Sequence, residues 1–459
     1  MKALLITGDR SGSGKTSITL AIAALLAQEA PVQTYKVAMD YIDPSYLSAV
    51  TGRPCRNLDS YVMGPDEIRA VFEHGASGAE IGLVEGVRGL YEGAEAIGDA
   101  GSTASIAKAL DLPVVLVVDA RSITRSAAAL VKGFAAFDPD VQIAGVILNN
   151  LSGAGHRQKT LRAVEHYCDL PVIGAIPKSE EMRLAMRHLG LVPYREGQES
   201  GDFLERVAAV KEVIGTYVDL DALRGLMADY TFTGATGPFL PPQESDLRVA
   251  VAYDEAFNFY YNDLFDILQG GGAAVVPWSP VHDPLPEADG YIIGGGYPEM
   301  HAASLEANDR AREALREEVM NGTPVYAECG GLIYLTKRQN LSAGWEGREQ
   351  DESFEMCGVF DGETFMPVRR TLGYVEGRAG SASPFGEGTF RGHEFHYSDV
   401  RLAAGTRYAY ELSRGTGIEG SRDGAVVSNT LASYTHLHPV PAAPFFHEFL
   451  NRCRAARRT

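Results

Sequence analysis

One cysteine stands between an acidic residue and two glycines in the stretch AECGGLIYL, residues 327–335. An apolar run precedes Cys329 and a helix-like run follows it, which predicts a sharp turn from a strand into a helix. Such a turn exposes the side chain, and the small Gly330 and Gly331 make it possible. A helix N-terminus beneath a thiol lowers its pKa and so increases the fraction of thiolate. The stretch therefore predicts a cysteine nucleophile.

Two further segments offer the other parts that a thiol nucleophile requires. The stretch IIGGGYPE contains successive backbone amides at Gly295 and Gly296, which suit an oxyanion hole. The stretch SYTHLHPV contains His436 and His438, either of which could act as the base. Structural cysteines are commoner than catalytic ones, so Cys329 alone would be interpreted as a core residue. The three segments together favour catalysis.

A second kind of chemistry is indicated near the N-terminus. The stretch GDRSGSGKTS directly follows the first apolar run and is typical of a phosphate-binding loop that opens a helix. Lys15 would reach the β- and γ-phosphates, and the Thr16 hydroxyl would bind Mg²⁺. The strict pattern fails at one place, because its first glycine falls on Asp9 and the nearest glycine is Gly8. A glycine-rich turn that merely packs is the alternative. The predicted nucleotide-binding residues are Gly12, Ser13, Gly14, Lys15, Thr16 and Ser17.

Carboxylates follow the next apolar runs. MDYIDPSYL contains Asp40 and Asp43, and LVEGVRGLYEG contains Glu85 and Glu92. The carboxyl end of a strand beside a phosphate loop is the expected place for contact with Mg²⁺. We therefore predict Thr16, Asp40 and Glu85 as metal ligands. Any one of the four carboxylates alone could equally be a solvated or capping residue, but together they favour function.

Basic residues cluster in the same part of an otherwise acidic chain. They suggest a pocket for a polycarboxylate, in which Asp43, Glu92, Arg53 and Arg88 are the predicted substrate residues. Salt bridges inside the domain are the alternative explanation. The basic residues are Lys36, Arg53, Arg56, Arg88, Arg121 and Arg125.

The elements that must position these residues follow from the hydrophobic pattern. Nearly continuous apolar runs, typical of buried parallel strands, alternate with amphipathic runs such as SITLAIAALLAQEA and SAAALVKGFAAF. This alternation predicts βαβ units and a doubly wound parallel sheet. The predicted strands are KALLITG, VQTYKVAM, EIGLVEG, PVVLVVDA, IAGVILNN and PVIGAIP.

A stretch dense in Gly and Pro, TGATGPFLPPQESD at 233–246, is the predicted linker. It separates an N-terminal domain, residues 1–232, from a C-terminal domain, residues 247–459. The series of runs restarts after the linker, and the C-terminal part of the chain is predicted to be mixed strands and loops. The restarted runs are LRVAVAYDEAF, YYNDLFDILQGGG, AAVVPWSP, ADGYIIGGGYPE and TPVYAECGG.

Bulk composition limits the classes of function. A chain of 459 residues predicts two domains. The net charge of −19 argues against general nucleic-acid binding, because phosphate backbones require a basic face. Five scattered cysteines suit a reducing cytoplasm. No window contains the ~20 uncharged apolar residues of a membrane helix, and the N-terminus lacks the pattern of a signal peptide. A cytoplasmic protein without membrane contact is expected.

The motifs together carry a resemblance to a known family. AECGGLIYLT, GGGYPE and YTHLH resemble the class I glutamine amidotransferase domain, in the variant of the cobyrinate and nickel-sirohydrochlorin a,c-diamide synthase family. AVAYDEAFNFYYNDLFDIL and GHEFHYS resemble the same C-terminal half. The resemblance implies an α/β chain, in which a doubly wound, dethiobiotin synthetase-like P-loop domain precedes an α/β glutamine amidotransferase domain. The segments that resemble the family's ATP-binding half are GDRSGSGKTS, DYIDPSYLSAVTGRP, LVEGVRGLYEG, GSTASIAKALDLPVVLVVDARS and AGVILNN.

The resemblance also implies roles for individual residues. Cys329 would attack the glutamine amide, with His436 as the histidine that activates it and His438 as second choice. Ordinary class I amidases have a glutamate two residues after this histidine, and that place is His438 here, so the third member stays open. ATP and Mg²⁺ would activate a substrate carboxylate, which ammonia would convert into a carboxamide. His393, Glu394 and His396 of GHEFHYS would either contribute to the reaction or be ordinary strand residues.

The substrates implied by the resemblance are glutamine, or free ammonia, and a tetrapyrrole with acetates at positions a and c. Nickel-sirohydrochlorin and cobyrinate are the two acceptors of this family, and KVAMDYIDPSYLSAVTGRPCRNLDS is more similar to the archaeal nickel-type proteins. Ala38, Arg88 and Glu92 replace residues that are common in the family, which bears on the tetrapyrrole that fits. Cobyric acid synthase usually has GYEIHMG in place of GHEFHYS and is a weaker match. A homodimer is an open expectation.

A different class of protein is the remote alternative. The first domain also resembles partitioning-type ATPases, which use nucleotide to switch a dimer on and off a partner surface. Those proteins have a signature lysine early in the phosphate loop, where this chain has Arg10. A pure switch would not explain Cys329 together with His436.

Overall fold

The computed structural model describes residues 1–182 and 202–457. The chain divides into two compact units, Met1–Gly237 and Pro238–Thr459. This boundary falls inside the segment 233–246 that the sequence suggests as a linker. No helix in the described part of the chain combines the length and the apolar character that crossing a bilayer would require.

The first unit is an α/β domain with a mostly parallel sheet. Its strands are β1 (Lys2–Gly8), β2 (Val32–Val37), β3 (Arg56–Leu58), β4 (Ile81–Gly89), β5 (Val114–Asp119), β6 (Ile143–Leu151), β7 (Val172–Pro177) and β8 (Ala228–Asp229). Its helices within the described residues are α1 (Lys15–Leu26), α2 (Ile42–Thr51), α3 (Pro65–Gly75), α4 (Thr103–Leu110), α5 (Arg125–Phe137), α6 (Ala154–Cys168), α7 (Asp202–Tyr217) and α8 (Leu220–Leu226). The strand order is β3-β2-β4-β1-β5-β6-β7, and β8 pairs with β1 in the antiparallel sense.

The six strands predicted in this unit are present. They could be predicted because parallel strands covered on both faces are apolar almost throughout, and β5 is buried from Val114 to Val118. The strand β3 was not predicted, since three residues carry too little pattern. Parallel pairing brings the carboxyl ends of β1, β2 and β4 to one edge of the sheet, where Glu85 is in register with both Ile6 and Lys36.

The second unit contains the remaining described elements. Its strands are β9 (Leu247–Ala252), β10 (Phe257–Phe259), β11 (Ala273–Trp278), β12 (Gly290–Ile293), β13 (Gly295–Gly296), β14 (Val325–Glu328), β15 (Arg338–Leu341), β16 (Glu352–Glu355), β17 (Gly362–Met366), β18 (Thr371–Ala379), β19 (Gly388–His396), β20 (Asp399–Leu402), β21 (Arg407–Arg414), β22 (Arg422–Val427), β23 (Thr430–Ser433) and β24 (His436–Leu437). Its α-helices are α9 (Asn262–Gly270), α10 (Ala302–Ala307), α11 (Asp309–Met320), α12 (Gly330–Leu335) and α13 (Ala443–Ala456), and short 3₁₀ helices cover Pro298–Met300 and Trp345–Gly347.

The main sheet of this unit has the order β11-β9-β12-β14-β23-β22-β21-β18-β19-β24. Its first five strands are parallel, and the rest are antiparallel. The prediction that the C-terminal part consists of strands and loops is wrong at its end, where α13 forms. The buried residues of this helix recur at helical spacing, so the sequence does contain an amphipathic pattern that predicts it. They are Phe446, Phe449, Leu450 and Cys453.

Candidate functional site

The turn predicted at Cys329 is present. Strand β14 ends at Glu328 and α12 begins at Gly330, so a single residue joins them. Cys329 has φ 45° and ψ −95°, which is a strained conformation for a residue with a side chain. A side chain on Gly331 would overlap the carbonyl oxygen of Ile293. The glycine thus lets the helix start close against the neighbouring strand.

The thiol itself is more buried than the sequence suggests. Cys329 is 6% exposed, and its Sγ donates to the carbonyl oxygen of Phe395 at 3.6 Å. Burial raises the pKa of the thiol, and the charges of Glu299 and Glu328 raise it further. The Gly330 N–H lowers this pKa, as a helix N-terminus should, but it is outweighed. The prediction of a lowered thiol pKa is therefore wrong, and the thiol needs a base.

His436 is held by a carboxylate that the sequence did not predict. Its Nδ1 lies 3.1 Å from Oε2 of Glu328, the residue directly before the cysteine. The other oxygen of Glu328 accepts from the Leu437 backbone N–H at 3.0 Å and from the Tyr326 hydroxyl. A proton on Nδ1 makes Nε2 the accepting nitrogen of the neutral ring. Cys329, His436 and Glu328 thus have the residue types of a nucleophile, a base and an acid that orients the base.

The predicted oxyanion glycines lie beside these residues. A side chain on Gly295 would come within 2.6 Å of Cε1 of His436, and one on Gly330 would come within 3.1 Å of the Gly296 nitrogen. The Gly331 N–H also donates to the carbonyl oxygen of Gly294 at 3.1 Å. The structure therefore brings both glycines together with the helix that starts after Cys329 and with the ring of His436.

The other histidines of these motifs have different surroundings. His393 is paired in register with His436 and stacks on its ring at a centroid distance of 4.9 Å. Burial lowers the pKa of His393 well below its ordinary value, so this ring is neutral. His438 lies 3.8 Å from Asp263, and its ring packs against that of Tyr261 at a centroid distance of 4.6 Å, so it does not take the place of the missing glutamate.

Two residues of GHEFHYS have structural contacts. Glu394 accepts from the backbone N–H groups of Thr416 and Gly417, and the Nδ1 of His396 lies 2.9 Å from the carbonyl oxygen of Ser398. In this motif, His393 is in contact with His436.

The first unit contains a phosphate loop between β1 and α1. Gly12 and Gly14 have φ 78° and 92°, which favour glycine, and a side chain on Gly14 would overlap the Asn149 amide. Asn149 lies at the end of β6 and donates from Nδ2 to the Ser13 carbonyl oxygen at 2.8 Å. Motif reasoning missed Asn149, although it belongs to the segment AGVILNN. The Oγ of Ser13 is buried without a hydrogen-bond partner among the described residues.

Acidic and basic groups converge behind this loop. The Thr16 hydroxyl donates to Oε1 of Glu85 at 2.6 Å. The Lys36 Nζ lies 2.7 Å from the same oxygen and 2.5 Å from Oδ2 of Asp43. Burial alone would lower the pKa of Lys36, but the charges of Asp43 and Glu85 outweigh it and raise this pKa. Burial together with Lys36 lowers the pKa of Lys15.

The residues present suit a hard cation. Thr16, Asp43 and Glu85 offer one hydroxyl and two carboxylates, which is the type of ligand that Mg²⁺ prefers. Oε2 of Glu85 is buried without a hydrogen-bond partner in the described part of the chain. Asp40 is engaged differently, because its Oδ1 accepts from the backbone N–H groups of Ile42 and Asp43 at 2.8 and 3.2 Å. Burial, followed by the charge of Asp43, raises the pKa of Asp40 to about 6.

The predicted substrate residues are not all brought together. A side chain on Gly89 would overlap the Glu92 carboxylate, and Gly89 is in register with Gly8 at the start of the loop. Arg88 is exposed at the same end of β4. Arg53 instead donates to Oε1 of Gln33 and to the carbonyl oxygens of Gly75 and Ser77, which precede β4. Arg53 therefore lies at the opposite edge of the sheet. Arg121, another of the basic residues, forms an ion pair with Asp119.

Comparisons with known proteins define the class. Residues 4–192 match the model of the CobQ/CobB/MinD/ParA nucleotide binding domain, and residues 248–443 match that of the CobB/CobQ-like glutamine amidotransferase domain. The chain thus joins a nucleotide-binding domain to a glutamine amidotransferase domain.

Relatives along the whole chain define the family. The chain is 48% identical over 95% of its length to the cobyrinate a,c-diamide synthase of Methanosarcina acetivorans, and it covers 92% of that protein. Identity to the protein of the same name from Methanosarcina barkeri is 44%, over 99% of this chain and 96% of that one. Identity to that from Methanothermobacter thermautotrophicus is 43%, over 97% and 98%. This chain belongs to the cobyrinate a,c-diamide synthase family and is an ATP-dependent ligase with glutamine as amido donor.

Proposed function

We propose that this protein amidates the a and c acetate carboxylates of a tetrapyrrole. One observation carries the proposal: a single chain combines Cys329, His436 and Glu328 with a phosphate loop flanked by carboxylates. Two acceptors remain, and each has its own support. Nickel-sirohydrochlorin is favoured by the amino-acid sequence of residues 36–60. It is also favoured by the methanogenic sources of the three relatives named above. Cobyrinate is favoured by the relatives' names.

The glutaminase half follows from the geometry around the thiol. His436 takes the proton of the Cys329 thiol, and Glu328 stabilises the resulting imidazolium through Nδ1. The thiolate attacks the amide carbon of glutamine, and the backbone N–H groups of Gly295 and Gly296 stabilise the oxyanion. His436 returns the proton to the leaving nitrogen, which departs as ammonia. Water then cleaves the thioester, which releases glutamate and restores the thiol.

The synthetase half prepares the acceptor carboxylate. A carboxylate oxygen of the acceptor attacks the γ-phosphorus of ATP, ADP leaves, and an acyl phosphate is formed. Lys15 stabilises the negative charge on the transferred phosphoryl group. Thr16, Asp43 and Glu85 would hold Mg²⁺, which neutralises charge on the phosphates when bound. Ammonia attacks the acyl carbon, phosphate leaves, and the product is a carboxamide.

Residues at the carboxyl edge of the first sheet are proposed to select the acceptor. Glu92 lies beside Gly89 next to the phosphate loop, and Arg88 is exposed at the same end of β4. The cationic Arg88 suits a carboxylate of the tetrapyrrole. Arg53 does not belong to this set, because it lies at the opposite edge of the sheet.

The experiment that tests the proposal is a side-by-side assay on nickel-sirohydrochlorin and cobyrinate with ATP, Mg²⁺ and glutamine. Mass spectrometry would detect two successive replacements of OH by NH₂. Preference for the nickel tetrapyrrole would assign the protein to nickel-coenzyme biosynthesis in methanogenesis, and preference for cobyrinate to cobalamin biosynthesis. ATP hydrolysis without a change of mass in either acceptor would overturn the proposal.

The partitioning-type switch makes a different prediction. Arg10, at the place of the signature lysine, donates to Oδ2 of Asp9 from Nε and Nη2 at 3.0 and 2.7 Å. A switch should hydrolyse ATP at a rate that glutamine does not change. An amidase should couple glutamate release to ATP hydrolysis when an acceptor is present, so measuring both products in one reaction separates the two.

A further inference from the structure

Glu299 is a buried acidic residue near the thiol of Cys329. Glu299 is 8% exposed and belongs to the 3₁₀ turn Pro298–Met300 that follows the oxyanion glycines. Its backbone carbonyl accepts from Arg348 at 3.0 Å, and the residue's own backbone N–H donates to its carboxylate. Burial raises the pKa of this carboxyl to about 7.

Glu299 also lies near Cys329 in space. Its charge raises the thiol pKa more than that of Glu328, although Glu328 is adjacent to the cysteine in sequence. The turn that carries it packs on the start of α12, since a side chain on Gly330 would come within 3.1 Å of Cδ of Pro298. The turn that contains Glu299 therefore lies against the helix that begins directly after the nucleophile.

The charged groups around Glu299 do not neutralise it. The residue's own backbone N–H, His301 and Arg348 lower its pKa and Glu346 raises it, but burial outweighs the groups that lower it. The guanidinium of Arg348 is shared between the Glu299 carbonyl oxygen and the carboxylate of Glu352, whose Oε2 lies 3.1 Å from Nε. A buried carboxylate in this state is stabilised by a cationic ligand, because the ligand replaces the hydration that burial removed.

Glutamine brings a cation of this kind. When its amide carbon reaches Cys329, the α-ammonium is four bonds away, about 5 Å in an extended chain. We propose that Glu299 binds the α-ammonium of glutamine and so orients the amide toward the thiol. This inference rests on the proposed use of glutamine and names the group that recognises the donor's amino end.

The test compares glutamine with glutaramate, which has the same amide but no α-amino group. We expect wild-type protein to use glutaramate about 100-fold less efficiently in kcat/KM, because the analogue leaves Glu299 unpaired. In Glu299→Gln, kcat/KM for glutamine should fall about 100-fold, mainly through KM, while that for glutaramate changes little. Discrimination between the two donors should disappear. Amidation driven by ammonium chloride should remain at the wild-type rate.

A matched variant controls for the general loss of one negative charge. Glu346→Gln removes an exposed carboxylate near Glu299 and should keep the wild-type KM and discrimination. Wild-type discrimination in Glu299→Gln would overturn the inference. Equal loss of glutamine use and ammonia use, with a lowered melting temperature, would also overturn it in favour of a structural role. Because hydrolysis of the donor amide needs no particular acceptor, discrimination between glutamine and glutaramate can be measured whichever tetrapyrrole, if any, is amidated.

Discussion

Glu328 and His436 are 108 residues apart in the chain, yet a carboxylate oxygen of the first lies 3.1 Å from Nδ1 of the second. Glu328 is the last residue of β14, in register with Ser433 of β23, and the chain after β23 returns His436 to the same place. Two further donors, the Leu437 N–H and the Tyr326 hydroxyl, hold the carboxylate. Glu328 directly precedes Cys329, so the residue that orients the base is the chain neighbour of the nucleophile.

The first prediction concerns Glu328→Gln. The variant keeps the shape of the side chain but cannot stabilise the imidazolium, and its amide can select the wrong tautomer of His436. We expect kcat for glutamine hydrolysis to fall about 10⁴-fold, as it does when the acid of a catalytic triad is replaced by its amide. Release of glutamate, followed by a coupled assay, measures the effect.

Two controls accompany this variant. Glu411→Gln changes an exposed glutamate on β21 and should retain wild-type kinetics. Amidation driven by ammonia should also be unchanged in Glu328→Gln, since ammonia bypasses the thiol. Glutaminase activity within a factor of about three of wild type would show that Glu328 has no part in orienting His436.

The second prediction concerns Cys329→Ala. Removal of the thiol should abolish glutamine-dependent amidation, while ammonium chloride should still support it, because the acyl phosphate forms in the other unit. Cys357→Ala, a buried cysteine of the same unit, should keep its use of glutamine. If a folded Cys329→Ala protein could use neither glutamine nor ammonia for amidation, the separation of the two reactions would be contradicted.

Much of this architecture could be predicted because its signals are local. The phosphate loop, the turn at Cys329 and the parallel strands each depend on residues that are near one another in sequence. The third member of the catalytic set could not be found in this way. Glu328 stands in the opening motif, but its role depends on the strand pairing that brings His436 to it.

The carboxylates near the phosphate loop illustrate the same limit. Asp40 and Asp43 both follow β2, and motif reasoning predicted Asp40 as the metal ligand. The start of α2 turns the Oδ1 of Asp40 onto backbone N–H groups, and one helical turn later Asp43 reaches Lys36. Which of the two faces Thr16 depends on this local geometry, and composition does not reveal it.

The third prediction uses the raised pKa of the Cys329 thiol. An ordinary cysteine has a pKa of about 8.5. Burial shifts the Cys329 pKa upward, so its thiolate fraction at pH 7 to 8 is smaller than that of a free thiol. Alkylation of the protein by iodoacetamide, followed by peptide mass spectrometry at Cys329, should be slow at neutral pH and still accelerate above pH 9. A rate that reaches its plateau below pH 8 would contradict the raised pKa.

The fourth prediction concerns Lys15→Met in the phosphate loop. Lys15 would contact the phosphates of ATP, so its removal should reduce amidation with either nitrogen source by about 100-fold or more. Glutamate release in the absence of acceptor should stay at the wild-type level, because Cys329 and His436 are in the other unit. Lys2→Met, which removes an exposed lysine paired with Asp229, serves as the matched control. Normal ATP-dependent amidation in Lys15→Met would show that Lys15 has no role in the proposed phosphate site.

The fifth prediction concerns the stability of the first unit. Lys36 is 2% exposed at its side chain and contacts Asp43 and Glu85, so Lys36→Met leaves two buried carboxylates without their cation. Breaking a buried ion pair in this way costs about 3–5 kcal/mol of unfolding free energy. Adding Glu85→Gln should recover part of the loss, because the double variant buries one charge fewer. Lys108→Met breaks partly exposed pairs with Asp99 and Asp138 and should cost about 1 kcal/mol or less. Chemical denaturation of the three variants measures these differences, and equal costs for Lys36→Met and Lys108→Met would show that the buried cluster is not held by Lys36.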